Sequence, residues 1–156
     1  MLLAAAVSSF GACCARGQGT AVYTAAAVEP AAPAPLQFQS VNLGGEWSGV
    51  LMQPGGPHDY YGFSMRLAQS GTSVTGSSMI SIPQTPYYGV LELTGSVNEL
   101  SFSFSESSVV DQNLPESLRW CIKSGTLTYD PAENSLRGSW SAPDCSPGEI
   151  QLRKVK

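Results

Sequence analysis

Large apolar residues alternate with serine in Leu100-Ser101-Phe102-Ser103-Phe104-Ser105. This period of two puts the bulky side chains on one face of an extended strand and the hydroxyls on the other. The same alternation runs through YYGFSMRLA, where Tyr61, Phe63, Met65 and Leu67 share a face opposite Ser64 and Arg66, and through LRGSW, where Leu136, Gly138 and Trp140 are in phase. Further strand-like segments lie at residues 46–53, 73–82, 87–95, 119–129 and 149–155, separated by turn residues such as Gln69-Ser70-Gly71 and Asp130-Pro131-Ala132. The pattern predicts about eight strands and almost no helix.

Connections this short leave no room for crossover helices, so consecutive strands are expected to pair as antiparallel hairpins. An open sheet would leave two unpaired edges and one bare apolar face. Closure into a barrel removes the edges and buries the face. The expected fold is therefore all-β, an antiparallel up-and-down barrel, with a two-sheet β-sandwich as the alternative. The longest interruption, VVDQNLPESL at residues 109–118, places Pro115 before Glu116 in a context suited to one helical turn. A lid or corner is expected there.

The chain of 156 residues is 42% hydrophobic, enough for one core and one domain. Residues 43–156 form the expected barrel domain. Residues 20–42 are an Ala/Pro-rich linker containing AAAVEPAAPAPL, whose prolines favour extended polyproline over a packed element. Residues 1–19, MLLAAAVSSFGACCARGQG, resemble a secretory signal, although no Lys or Arg precedes the apolar run. Phe10-Gly11-Ala12-Cys13 also resembles a bacterial lipoprotein box, which would put a lipid anchor on Cys13; the other reading discards Cys13 and Cys14 with the signal. The expected location is secreted or cell-envelope associated, in a bacterial periplasm or on the outer surface. No run is long enough for a transmembrane span. Only 13% of residues are charged and the net charge is −4, which leaves no basic surface for nucleic acid.

Two cysteines remain in the expected domain. Cys121 falls in the strand WCIKSGTLTY and Cys145 in the turn APDCSPG, positions that suit a disulfide around a barrel wall in an oxidising compartment. A metal pair or catalytic thiol would need further Cys or His ligands.

Gly45-Glu46-Trp47 on the first strand, a meander of about eight strands and a basic residue on the last strand together resemble the calycins, the group of lipocalins, fatty-acid-binding proteins and avidins. The resemblance covers residues 43–156. It implies that Trp47 packs across one end of the barrel and that Arg153, or Lys154 by strand phase, stacks on it. A lipocalin Thr-Asp-Tyr motif and C-terminal helix are missing, PGGPHD replaces the helix pair of fatty-acid-binding proteins, and avidin's polar contacts do not map onto this chain.

The sequence offers little chemistry. His58, the only histidine, adjoins Asp59 in GGPHDYYG, but neighbours on a turn rarely share one catalytic geometry. No nucleophile elbow, phosphate loop, His-x-x-x-His pair or EF-hand loop is present. No cofactor and no metal are expected, and the protein is expected not to be an enzyme. Glu106 continues the phase of Phe102 and Phe104 and would point inward if the strand persists, there to anchor a polar ligand group or meet an internal Arg; a solvated turn position is the plainer reading. A base for an isomerase or cyclase is a third use of that carboxylate. The inward mixture of large rings and glycines has two opposite explanations, a filled core or an aromatic-lined cavity. The leading expectation is an exported barrel that binds a small apolar or amphipathic molecule in a lumen lined by Gly49, Tyr61, Phe63, Phe102, Phe104, Glu106 and Trp140. The alternative is a protein-interaction or inhibitor module with a filled barrel and working loops at 53–61, 83–88 and 106–118.

Overall fold

A computed structural model describes residues 41–155. The signal-like segment, Cys13 and most of the Ala/Pro-rich linker lie outside the described residues. The elements are β1 (Gly45–Met52), β2 (Tyr60–Ser70), β3 (Ser73–Ser81), β4 (Tyr88–Asn98), β5 (Ser101–Asn113), β6 (Ser124–Asp130), β7 (Ser135–Ala142) and β8 (Cys145–Lys154). They form one closed antiparallel barrel in sequence order. Closure is made by the ladder of β1 with β8, from Trp47 opposite Lys154 to Met52 opposite Glu149, so the barrel and not the sandwich is the fold. Among the described residues there is no helix, and no helix is long and apolar enough to cross a membrane.

Alternation decides what is inside. Trp47 and Leu51 on β1, Phe63 and Met65 on β2, Leu91 and Leu93 on β4, and Phe102 and Phe104 on β5 are all buried. Glycines sit where strands approach too closely for a side chain. At Gly49 on β1 a Cβ would run into the Gln151 carbonyl and the Leu152 Cα of β8, and at Gly148 it would strike the Met52 carbonyl of β1. The expectation that Gly49 opens space for a ligand is thus corrected: the neighbouring strand's backbone occupies that space.

Several strand boundaries differ from the sequence expectation: β4 runs on to Asn98, and β8 begins at Cys145, which therefore opens the last strand and does not lie in the turn before it. β5 continues through Asn113, because β4 offers it partners from Asn98 to Tyr88, and register shifts near Leu91 and Leu93 absorb the loss of strict alternation. β6 begins only at Ser124. The β-prone residues Trp120-Cys121-Ile122 are instead held in an irregular segment at the barrel mouth by tertiary contacts. In the segment's one turn, around Pro115, the Leu118 amide donates to the Pro115 carbonyl.

Trp47 closes the end of the barrel opposite that segment. It is 1% exposed, its Nε1 donates to the Leu43 carbonyl at 2.8 Å, and its ring meets Tyr129 edge-on at 6.0 Å. The cation over the ring is Lys154, 5.3 Å from the centroid. Arg153, the first expectation, lies one residue out of phase: it pairs across β1 with Ser48 and reaches Glu133 on the outer surface at 3.2 Å. The packed region starts slightly before residue 43, since Val41 packs against the core and its carbonyl accepts from Gln69 Nε2.

Candidate functional site

The interior divides into two zones. Toward Trp47 the barrel is filled by its own side chains. Phe102 and Phe104 lie 6.0 Å apart, and each ring takes up space left by a glycine on a neighbouring strand, Phe102 against Gly95 and Phe104 against Gly125. At the other end, where the β1–β2, β3–β4, β5–β6 and β7–β8 connections gather, a pocket of about 270 Å³ remains. Its apolar walls include Leu51, Tyr61, Ile80, Ile82, Trp120 and Trp140, and its polar lining includes Gln53 and Lys123. His58, Arg119 and Asp144 stand at the rim.

The walls are held in place. Trp120 lies over Gly89, where a Cβ would collide with its indole, and donates to the Tyr88 carbonyl at 3.2 Å. Trp140 donates to the Met52 carbonyl at 3.2 Å. Both indole N–H groups are thus committed to backbone, leaving the rings as apolar surface toward the pocket. Tyr61 packs edge-on against His58 at 5.8 Å, and burial pushes its phenol above the ordinary value, with the His58 backbone opposing in part. The Cys121–Cys145 disulfide ties the segment crossing the mouth to the start of β8, with a Cα–Cα distance of 6.3 Å.

Beneath the pocket lies a buried ion pair. Glu106 Oε2 is 2.9 Å from Lys123 Nζ, and both side chains are almost wholly enclosed, at 0% and 1% exposure. Glu106 Oε2 also accepts from the Lys123 backbone N–H at 2.8 Å, and Oε1 accepts from Ser78 Oγ at 2.5 Å. Lys123 Nζ further donates to the Cys121 carbonyl at 3.0 Å and lies 5.5 Å from the centre of the Phe63 ring. Burial pushes the lysine below its ordinary value, and the adjacent carboxylate raises it back only in part. The pair also extends the β5–β6 seam. Regular pairing stops at Ser105 opposite Ser124, and the Glu106 amide then donates to the Lys123 carbonyl at 2.8 Å.

The residues expected to line the lumen fall on both sides of this division. Tyr61 and Trp140 reach the pocket. Phe63, Phe102 and Phe104 belong to the filled zone, and Glu106 is inward but turned to Lys123 and Ser78. The solvated-turn reading of Glu106 is corrected by its pairing partner. Among pocket residues the sequence reading passed over are Gln53, Lys123 and Trp120. Gln53 continues the inward phase of Trp47, Gly49 and Leu51, so alternation carried its signal; Lys123 shares the phase of Gly125 and Leu127, but only the barrel brings it to Glu106. Among the described residues no group of His, Cys, Asp or Glu is arranged to hold a metal ion.

No protein-family model matches the chain, and a search of curated proteins finds no match. The closed eight-strand meander with a buried tryptophan across one end nonetheless fits a calycin-like fold.

Proposed function

We propose that this protein is an exported, non-catalytic binding barrel that holds a small amphipathic molecule in its mouth pocket. The observation that carries the reading is a filled lower barrel giving way to a pocket of about 270 Å³ with rigid aromatic and aliphatic walls and few polar groups. Larger hollows exist, such as one of about 400 Å³ beside Glu46 and Arg66, but that one lies on the outer wall against a solvent-exposed ion pair. The Cys121–Cys145 disulfide supports export, because such bonds persist in oxidising compartments. Glu106 speaks against use as a base, since both of its oxygens are engaged by Ser78 and Lys123.

Native mass spectrometry of the folded protein from its own host tests the reading. A bound small molecule should be present and should be lost when Ile80→Trp fills the pocket. An empty parent protein that also fails to bind any apolar compound would abandon carriage for the interaction-module reading. That second reading draws support from Tyr60 and Leu118, which expose apolar surface beside the mouth.

A further inference from the structure

The polar lining of the pocket specifies what kind of head group it accepts, and this inference rests on the binding function proposed above. Gln53 is only 5% exposed. Its Nε2 donates to the Ser146 carbonyl at 3.2 Å, which fixes the amide orientation, since a carbonyl can only accept. Oε1 accepts no hydrogen bond among the described residues, yet it is not sealed off: the one fully enclosed side-chain atom there without a partner is Ser135 Oγ. Gly56 flanks that oxygen, and a Cβ at Gly56 would collide with the Gln53 amide. Gln53 and Gly56 both line the pocket, so an unpartnered acceptor on an otherwise buried side chain lies at its wall.

Among the described residues the one buried cation at the pocket, Lys123, does not compensate for an anion. Lys123 is already neutralised by Glu106 and hydrogen-bonded to the Cys121 carbonyl. A ligand carboxylate placed at Gln53 would have to displace Glu106, leaving that charge buried and unpaired, or lie unpaired beside the Gln53 oxygen; the other cation lining the pocket, Arg119, stands at the exposed rim, where water screens any pair it makes. A hydroxyl or amide N–H would donate to Gln53 Oε1 and leave the ion pair intact. We propose that the mouth pocket selects a neutral amphiphile whose hydroxyl or amide N–H donates to Gln53 Oε1, with its apolar part against Ile80, Ile82, Trp120 and Trp140, and that it rejects the carboxylate of the same chain length.

The test is titration of the full disulfide-bonded chain with 1-octanol, octanoate and toluene near neutral pH, read by calorimetry. Octanol is expected to bind at least about tenfold more tightly than octanoate. Gln53→Leu should weaken octanol by about three- to tenfold while leaving toluene unchanged. Octanoate binding as tightly as octanol overturns the head-group assignment while leaving the pocket standing. Failure of all three compounds to bind removes the binding function and this assignment with it. The comparison on the parent protein decides the matter even where the Gln53 variant does not fold.

Discussion

A carboxylate and an ammonium buried together each lose hydration worth several kcal/mol, recovered only when their lone pairs and protons find partners. Glu106 and Lys123 come close to that condition through Ser78, the Lys123 amide and the Cys121 carbonyl. Glu106→Gln leaves the lysine charge without its anion and is expected to cost about 3–5 kcal/mol in urea unfolding. The double variant Glu106→Leu with Lys123→Met should lie closer to the parent; an equal loss in both would assign the effect to packing instead. The pH dependence follows from the lowered Lys123 value. Between that value and 10.5 the unfolded chain binds more protons than the folded protein, so this group's contribution makes stability rise with pH. Without the carboxylate the lysine discharges at lower pH, so the gap between Glu106→Gln and parent should narrow as pH rises. At the closed end, Lys154→Ala is expected to cost about 0.5–1 kcal/mol through its contact with Trp47. Arg153→Ala should change stability by less than about 0.5 kcal/mol, because its ion pair is exposed. A larger loss from Arg153 than from Lys154 would contradict that assignment.

Among the elements, the ladders around the barrel are unequal. β4 and β5 pair from Tyr88 opposite Asn113 to Asn98 opposite Ser101, whereas β5 and β6 pair only over Ser101–Ser105. Above that short seam the Glu106–Lys123 contacts and the disulfide take over. Replacing Cys121 and Cys145 by alanine removes a link between residues 24 apart and should lower stability by about 3 kcal/mol. Hydrogen exchange should then show β6 amides losing more protection than those of β2 and β3. Uniform loss across the barrel would contradict a local role at the seam. The β1–β8 closure depends on a different device. Gly148→Ala puts a methyl group into the Met52 carbonyl and is expected to cost more than about 2 kcal/mol; a near-neutral result would show that the two strands separate freely. The identity of most strands was legible, since alternation is a local property. Their ends were not. β5 outlasts its alternation because β4 supplies backbone partners, and residues 119–123 leave the sheet because Trp120 and Cys121 are held across the mouth.

For the molecule as a whole, an apolar face on about eight short strands with short connections has few ways to avoid water and unpaired edges, and the closed barrel is one of them. All-β character and antiparallel pairing were therefore determined by the sequence through local alternation and turn chemistry, whereas the choice of barrel over sandwich is made by the β1–β8 ladder, and the place of Trp47 across the barrel end was implied by the calycin resemblance. The division between filled core and pocket was decided only by the tertiary structure. Phe102, Phe104, Tyr61 and Trp140 carry the same inward signal along the chain. What separates them is position along the barrel: Phe102 and Phe104 pack against Gly95 and Gly125 in the filled zone, while Tyr61 and Trp140 face a mouth spanned by irregular backbone. The choice of Lys123 as partner for Glu106 and of Lys154 for Trp47 has the same origin. Periodicity fixes which face a side chain takes, whereas its partner depends on register between strands distant in sequence, and that register exists only once the barrel has closed.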